Sequence, residues 1–464
     1  MRQILTTTYS TNHKAINTFL CWGILANLPF IILSIEYLHP RANFILFYGL
    51  LFLISSINFS SSGPRLMARG FVYIAFVAGL VADVLVFGRN FYGIKLKEAI
   101  YSIPNVLDLN IFAFGPYVAM SILLLVLAVV VPIISSKTGQ IGNRERIHVC
   151  SGIFLLAAID LSANGVSSYW FKGTTAGGAD WEASNSSKPE SALGASGISP
   201  EFSIANGHKM LIVVVEALGQ FKDESLNQAV FSVLESPVIA EKFQLVRGSI
   251  PYSGATTAAE MRELCASEYS FLNVLDKSFD TSECLPQKLA RMGVTSVSYH
   301  GLTSAIFDRK HWYPSIGFTK NIFYHQLIAE PDQAHDRFCS GAFVGYCDRL
   351  IGEKIQAALS ANAQHGLYYW LTLNSHFPAE RTQQYGKPFP CAKYELSEQL
   401  CIMTEYWTEV LDSVAKIAES ADTGPLDILI VGDHAPPLIY RKSRDLLARN
   451  RVPYAALRWR GSQD

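Results

Sequence analysis

The sequence has no surplus of either charge: 38 Lys and Arg face 39 Asp and Glu, for a formal net charge of −1. Without a basic excess there is no electrostatic footprint for a nucleic acid, and no nucleic-acid partner is expected. No Cys-x-x-Cys pair occurs among the eight cysteines, which disfavours zinc binding by them. There is no internal repeat, which argues against an alternating-access transporter. No small-residue cleavage site follows the first apolar run, so that run reads as an uncleaved anchor.

Apolar residues are abundant. Half of the 464 residues are hydrophobic and the mean hydropathy is +0.20, with the apolar content concentrated before residue 172. Five segments there have the length and composition of membrane helices: Ile16–Ile35, Asn43–Phe59, Phe71–Gly88, Ile111–Ile134 and Val149–Phe171. Arg2 and Lys14, then Arg65 and Arg69, then Lys137, Arg144 and Arg146 mark the cytoplasmic loops, which places everything after about residue 170 on the outer side. Asp83 and Asp160 fall inside spans, where a carboxylate is a functional candidate by default. Both lie toward the outer halves of their helices, so hydrogen bonding within the bundle or to interfacial water is at least as good a reading, and neither is given a catalytic role. The outer loop from Arg89 to Asn110 predicts a short amphipathic helix at the interface. Six cysteines lie in the exported part, and their grouping suggests sequential disulfides: 265–284, 339–347 and 391–401.

Residues 172–207, rich in Gly, Ser and Ala, have the composition of a linker between a membrane domain (1–171) and a catalytic domain (208–464). From His208 onward short apolar runs alternate with amphipathic stretches, the pattern of an α/β domain with a central, mainly parallel sheet. Strands are expected at 210–215, 296–299, 367–373, 427–431 and 452–457. Helices are expected at 257–267, 286–292, 347–361 and 396–420.

Two of those strands end in metal-binding residue types. Leu426-Asp-Ile-Leu-Ile-Val-Gly-Asp-His-Ala-Pro-Pro437 closes on Asp433-His434, and Met210-Leu-Ile-Val-Val-Val-Glu216 closes on an acid. In an open parallel sheet chemistry gathers at the carboxyl ends of strands, so Glu216, Asp433 and His434 are candidates to share one divalent cation. Thr256 stands where a small-residue turn becomes helical. There a hydroxyl is an ordinary helix cap, unless a neighbouring cation activates it. His300 and Arg309 follow one expected strand and His376 another; their N–H groups suit a phosphodiester oxygen, although each alone is more often structural.

Taken in order, Glu216, Thr256, His300-Gly with Phe307 and Arg309, Asn374-Ser-His376-Phe-Pro, and Gly432-Asp433-His434-Ala-Pro-Pro437 resemble the alkaline-phosphatase/sulfatase-like membrane transferases. That family includes lipoteichoic acid synthase, the phosphoglycerol transferases of periplasmic glucans and the phosphoethanolamine transferases of lipid A. The resemblance spans the whole chain and implies five membrane helices ahead of an extracytoplasmic domain, in the inner membrane of a bacterium with catalysis in the periplasm. It implies one divalent metal, zinc or manganese, on Glu216, Thr256, Asp433 and His434. Thr256 becomes the nucleophile, with Thr257 its rival, and His300, Arg309 and His376 hold the phosphate and the leaving or entering oxygen. The implied donor is phosphatidylglycerol or phosphatidylethanolamine, and the acceptor is a glycan or lipid-glycan. Ala217 stands where many relatives have Ser. The sulfatase motif Cys-x-Pro-x-Arg is absent, since Cys284-Leu-Pro-Gln-Lys288 lacks the arginine, which disfavours formylglycine chemistry. The form Asn-Ser-His376-Phe-Pro is more similar to the phosphoglycerol branch. A phosphodiesterase or phosphatase of the same superfamily, or a catalytically silent membrane receptor, are the other readings.

Overall fold

A computed structural model of the chain describes residues 16–31, 41–57, 62–101, 103–104, 110–113, 115–137, 142–164, 189–329, 337–361, 366–381, 388–420 and 422–460. The Gly/Ser-rich part of the expected linker, 172–188, lies outside the described residues, as do the end of the first expected span and the last seven residues of the fifth. The chain divides into two compact units, Met1–Phe91 with Phe114–Thr174, and Tyr92–Ala113 with Thr175–Asp464.

The first unit is helical. Among the described residues one helix, Ser62–Arg89, is long and apolar enough to cross a membrane, and the expected span 71–88 lies inside it. The first, second and fourth expected spans fall on shorter apolar helices, Ile16–Ile31, Ala42–Ser55 and Val118–Ile134, and the fifth on Asn143–Asn164. A π-turn at Leu20–Ile24 interrupts the first of these, and the basic and acidic residues 144–146 open the last. Trp22, Tyr48, Phe52, Phe76 and Val131 form the interior. Asp83 and Asp160 are both hydrogen-bonded within this unit, the second of the two readings their positions allowed. Asp160 Oδ2 accepts the backbone N–H of Arg41 and Ala42 and so caps the helix Ala42–Ser55. Asp83 pairs with the buried Arg41, whose other fork reaches Asn27. A buried charge without such partners would cost several kcal/mol, on the order of 3–5.

The second unit is built on a sheet. Its strands are β1 (Lys209–Val215), β2 (Phe243–Pro251), β3 (Thr295–His300), β4 (Lys320–Ile322), β5 (Phe338–Cys339), β6 (Gly345–Tyr346), β7 (Gly366–Leu371), β8 (Leu426–Gly432) and β9 (Arg451–Trp459). Seven form one sheet in the order β2-β9-β8-β1-β7-β3-β4, and β5 and β6 make a separate hairpin. The five strands from β8 to β4 run parallel; at one edge β9 pairs antiparallel with β8, and β2 antiparallel with β9. Every residue of β1, β7 and β8 is buried, which is why these strands read as unbroken apolar runs: a parallel strand covered on both faces has no polar side. The expected strands and helices are all present with ends shifted by a few residues.

Local chemistry fixes the strand ends. Gly432 ends β8 against the loop that follows β1, and a Cβ there would lie 2.1 Å from the carbonyl oxygen of Leu218. The three disulfides are 265–284, 339–347 and 391–401, the sequential pairing read from the spacing, while Cys21 and Cys150 remain thiols.

Candidate active site

β1, β8, β7 and β3 are neighbours and parallel, so the residues just past their carboxyl ends converge. Val215 pairs with Gly432, which sets Glu216 beside Asp433. Asp433 Oδ1 accepts the backbone N–H of Ala217 and of His434, both at 2.7 Å. Ala217 reaches this bond because it adopts the left-handed conformation, φ 54°. The chain therefore turns away from the sheet directly after Glu216 and leaves its carboxylate exposed to the site.

Two oxygens at this point, Glu216 Oε1 and Asp433 Oδ2, are buried without a hydrogen-bond partner. They face His434 Nε2 at 3.5 and 3.3 Å. His434 Nδ1 lies 3.0 Å from the carbonyl oxygen of Ala435. A carbonyl only accepts, so Nδ1 carries the proton and Nε2 offers its lone pair. One ligand atom from each of Glu216, Asp433 and His434 lies within 4.8 Å of the others. Burial, and then the neighbouring Asp433, push the Glu216 carboxyl well above its ordinary value, against the pull of Thr256 and Arg309. Two unpartnered carboxylate oxygens facing an imidazole lone pair fit a divalent cation of the zinc or manganese kind. A second grouping, Cys391, Cys401 and Glu405, has its sulfurs joined in a disulfide and offers no thiolate.

Thr256 is the first residue of the helix Thr256–Cys265, and its hydroxyl donates to Glu216 Oε2 at 3.2 Å. One to two turns further, Arg262 donates to the carbonyl of Gly432 and is held from behind by Glu263. Thus the helix that presents the threonine also clamps the end of β8. Glu216 is fixed as firmly: its N–H donates to Thr372 Oγ1, and its carbonyl accepts from Ser375 Oγ and Trp407 Nε1. Arg262, Thr372 and Trp407 escaped sequence reading because nothing local marks them.

His300 and His376 share one arrangement. Nδ1 of His300 lies 3.0 Å from the carbonyl of Leu371, and Nδ1 of His376 lies 2.8 Å from that of Phe377. Each ring thus offers a lone pair at Nε2. Burial, reinforced by Arg309, lowers His300 to about 3; burial, reinforced by His434, lowers His376 to about 4. Both are neutral near pH 7, so Nε2 of each presents a hydrogen-bond-accepting lone pair and not the N–H expected for a phosphodiester oxygen.

Arg309 is buried, and two of its nitrogens are engaged by Glu260, with Nη2 at 2.9 Å from Oε2. Burial works against this cation, yet Glu260 and the phenols of Tyr313 and Tyr369 hold it above its ordinary value. Glu260 also accepts from the hydroxyls of Tyr313 and Tyr369. Because Glu260 lies four residues after Thr256, one helix carries the threonine and the anchor of the arginine.

The sequence profile of the sulfatase family matches residues 210–455, more than half of the chain and all of the elements just described. The chain belongs to the sulfatase family. Its members use a divalent metal, and the grouping of Glu216, Asp433 and His434 has the donors for one. No curated protein matches the sequence. Among solved structures, the lipoteichoic acid synthase LtaP from Listeria monocytogenes is similar at 16% identity and TM-score 0.44, over 59% of this chain and 72% of that one. The integral membrane lipooligosaccharide phosphoethanolamine transferase EptA from Neisseria meningitidis is similar at 14% identity and TM-score 0.45, over 96% of this chain and 88% of that one. The phosphoglycerol transferase GacH from Streptococcus pyogenes is similar at 14% identity and TM-score 0.39, over 58% and 77%. In this sulfatase-family domain the fold is α/β with a mostly parallel central sheet.

Proposed function

We propose that this sulfatase-family chain is a metal-dependent phosphotransferase. It moves phosphoglycerol or phosphoethanolamine from a membrane phospholipid to a glycan or lipid-glycan acceptor through a phospho-threonine at Thr256. The observation that carries this reading is the Thr256 hydroxyl, 3.2 Å from Glu216, beside two unpartnered carboxylate oxygens and an imidazole lone pair. Glu216, Asp433, His434 and Thr256 are the residues that would hold the cation. When bound, it supplies the positive charge that acidifies a hydroxyl and offsets charge on phosphoryl oxygens.

Thr256 Oγ attacks phosphorus in line with the bond to diacylglycerol as its proton passes to Glu216 Oε2, the oxygen it already bonds. The bond to diacylglycerol breaks, and the departing diacylglycerol oxygen takes up a proton. Arg309, kept cationic by Glu260, compensates charge on the equatorial oxygens. In the return half the acceptor hydroxyl, held by a hydrogen bond to Nε2 of His300 or His376, attacks the phospho-threonine. It gives up its proton as it takes the headgroup, and the bond to Thr256 breaks with Oγ taking a proton, regenerating the threonine. Five membrane spans, a linker and a catalytic domain in the periplasm of a bacterium complete the reading. The five apolar segments support it, and so do three disulfides, which suit an oxidising compartment.

The test is Thr256→Ala in the full chain, with vesicles of phosphatidylglycerol or phosphatidylethanolamine. Diacylglycerol release should fall by roughly a thousandfold or more while metal content is kept. Mass spectrometry of the wild-type peptide containing Thr256 should show an adduct whose mass separates glycerol phosphate from ethanolamine phosphate. Full turnover by the alanine variant rejects the assignment. Release of free headgroup with no acceptor product points to the hydrolase reading.

A further inference from the structure

The catalytic unit includes a piece of chain that the sequence places between membrane helices. Residues 92–113 cluster with the catalytic domain, although the chain enters them from the apolar helix Ser62–Tyr92 and leaves them for the apolar helix Gly115–Lys137. Their helix, Leu96–Tyr101, is the one expected at the interface. Its partners belong to the loops that carry the site. Gly93 packs against the backbone of Gly254, two residues before Thr256: a Cβ on Gly93 would lie 3.7 Å from it. Lys95 Nζ donates to the carbonyl of Glu268, and Glu98 accepts from Ser270 Oγ. Asn110 N donates at 2.8 Å to the carbonyl of Ala342, next to Phe343, whose ring meets His376 edge-on at 5.0 Å.

The most telling contact is at Asp308. Phe307 and Asp308 are consecutive non-glycine residues in the left-handed region, φ 53° and 54°, and the helix that begins with Arg309 follows directly. Such residues each cost on the order of 1–3 kcal/mol and persist only where their surroundings hold them. Tyr101 Oη donates to Asp308 Oδ2 at 3.1 Å, and His311 Nδ1 lies 2.6 Å from Oδ1. The Tyr101 ring meets Phe271 edge-on at 5.8 Å, and Phe271 in turn meets Phe307 at 5.9 Å. The Phe307 ring lies 5.3 Å from the Arg309 guanidinium.

We propose that Tyr101 is a positioning residue: through Asp308 and Phe271 the juxtamembrane helix holds the left-handed Phe307-Asp308 turn and so aims the Arg309 guanidinium at the phosphoryl group. The chain leading to the membrane is thereby a working part of the site as well as a tether. This rests on Arg309 as a phosphate-binding residue, the role given to it under the proposed function.

The experiment uses the full chain in detergent, loaded with manganese, and titrates inorganic phosphate by calorimetry alongside diacylglycerol release from phospholipid vesicles. Tyr101→Phe keeps the ring on Phe271 and removes only the hydroxyl. It should weaken phosphate binding about threefold to tenfold, with metal content and thermal midpoint unchanged. Asp308→Asn tolerates the left-handed backbone and weakens the acceptor, so adding Tyr101→Phe to it should cost less than Tyr101→Phe costs alone. Lys97→Ala, on the exposed face of the same helix, should change neither readout. Wild-type phosphate affinity in Tyr101→Phe, fully additive losses in the double variant, or no phosphate binding by the wild type would each overturn the proposal. If the wild type binds phosphate but releases no diacylglycerol from either lipid, the transferase reading fails while the binding data still decide the role of Tyr101.

Discussion

Glu216 and Asp433 are the residues whose arrangement makes least sense without a cation. Asp433 spends one oxygen on two backbone N–H groups and leaves the other, like Glu216 Oε1, buried and unpartnered. Water would satisfy such atoms cheaply, so a fold that withholds partners from both keeps them for a ligand. Asp433→Asn preserves the oxygen that accepts from Ala217 and His434 and replaces the other with an amide. Metal affinity should therefore fall by more than the roughly 10–100-fold typical of outer-shell changes, as read by equilibrium dialysis. The metal-free protein should at the same time gain stability, on the order of 1 kcal/mol, because the buried charge of Asp433 beside Glu216 is removed. A metal-free variant less stable than metal-free wild type would mean that the carboxylate is structural. The acids and the histidine were legible in the sequence because each directly follows an apolar strand. The pairing of Arg309 with Glu260 was not, because it joins residues 49 apart that meet only after the helix Thr256–Cys265 has docked.

At the scale of elements, the loop after β7 depends on the helix Asp348–Ala361. Asp348 is the first residue of that helix; its Oδ2 accepts from the N–H of Leu373 and Asn374, and its own N–H donates to Asn374 Oδ1. This clamp fixes the segment that carries Ser375 and His376. Burial pushes Asp348 up to about 7, against the two N–H groups, and burial together with Asp348 pushes Glu409 to about 7. Between the ordinary carboxylate range and about 7 the folded chain keeps protons that the unfolded chain has released. The contribution of these two carboxyls to stability is therefore greatest in acid and is lost as pH rises through that window. Asp348→Asn should flatten the decline of the thermal midpoint between pH 5 and 8; an unchanged slope would show that the Asp348 carboxyl does not carry it. Periodicity revealed the central strands and the long helices Asp348–Ala361 and Glu398–Glu419, since these are the elements with continuous or one-sided burial. The edge strand β2 escaped because its burial follows no alternation: it is held by register with β9 and has no apolar face of its own. The helix Arg309–Ser315 escaped as well, since two left-handed residues precede it and no capping side chain announces it.

For the whole molecule, cysteine chemistry joins topology to stability. The catalytic unit contains three disulfides closing sequence separations of 19, 8 and 10 residues, while the two thiols, Cys21 and Cys150, both belong to the helical unit. Cross-links of this span remove loop entropy from the unfolded chain, about 3 kcal/mol for a loop of 15 residues, and they persist only where the compartment is oxidising. In the membrane-transferase reading proposed above, the side on which the domain resides is thus written into the oxidation state of six sulfurs. If the domain is exported, protein denatured straight from membranes and treated with a mass-tagging maleimide should take up two tags without reductant and eight after reduction. A domain retained in the reducing cytosol should take up eight in both cases. Its metal site would still assemble, because none of the residues that converge on Glu216 is a cysteine, but the helix carrying Thr256 would lose its tie from Cys265 to Cys284. Replacing that pair with serines should therefore cost the catalytic unit about 2–4 kcal/mol in denaturant unfolding, and should leave metal stoichiometry intact at temperatures where the unit remains folded.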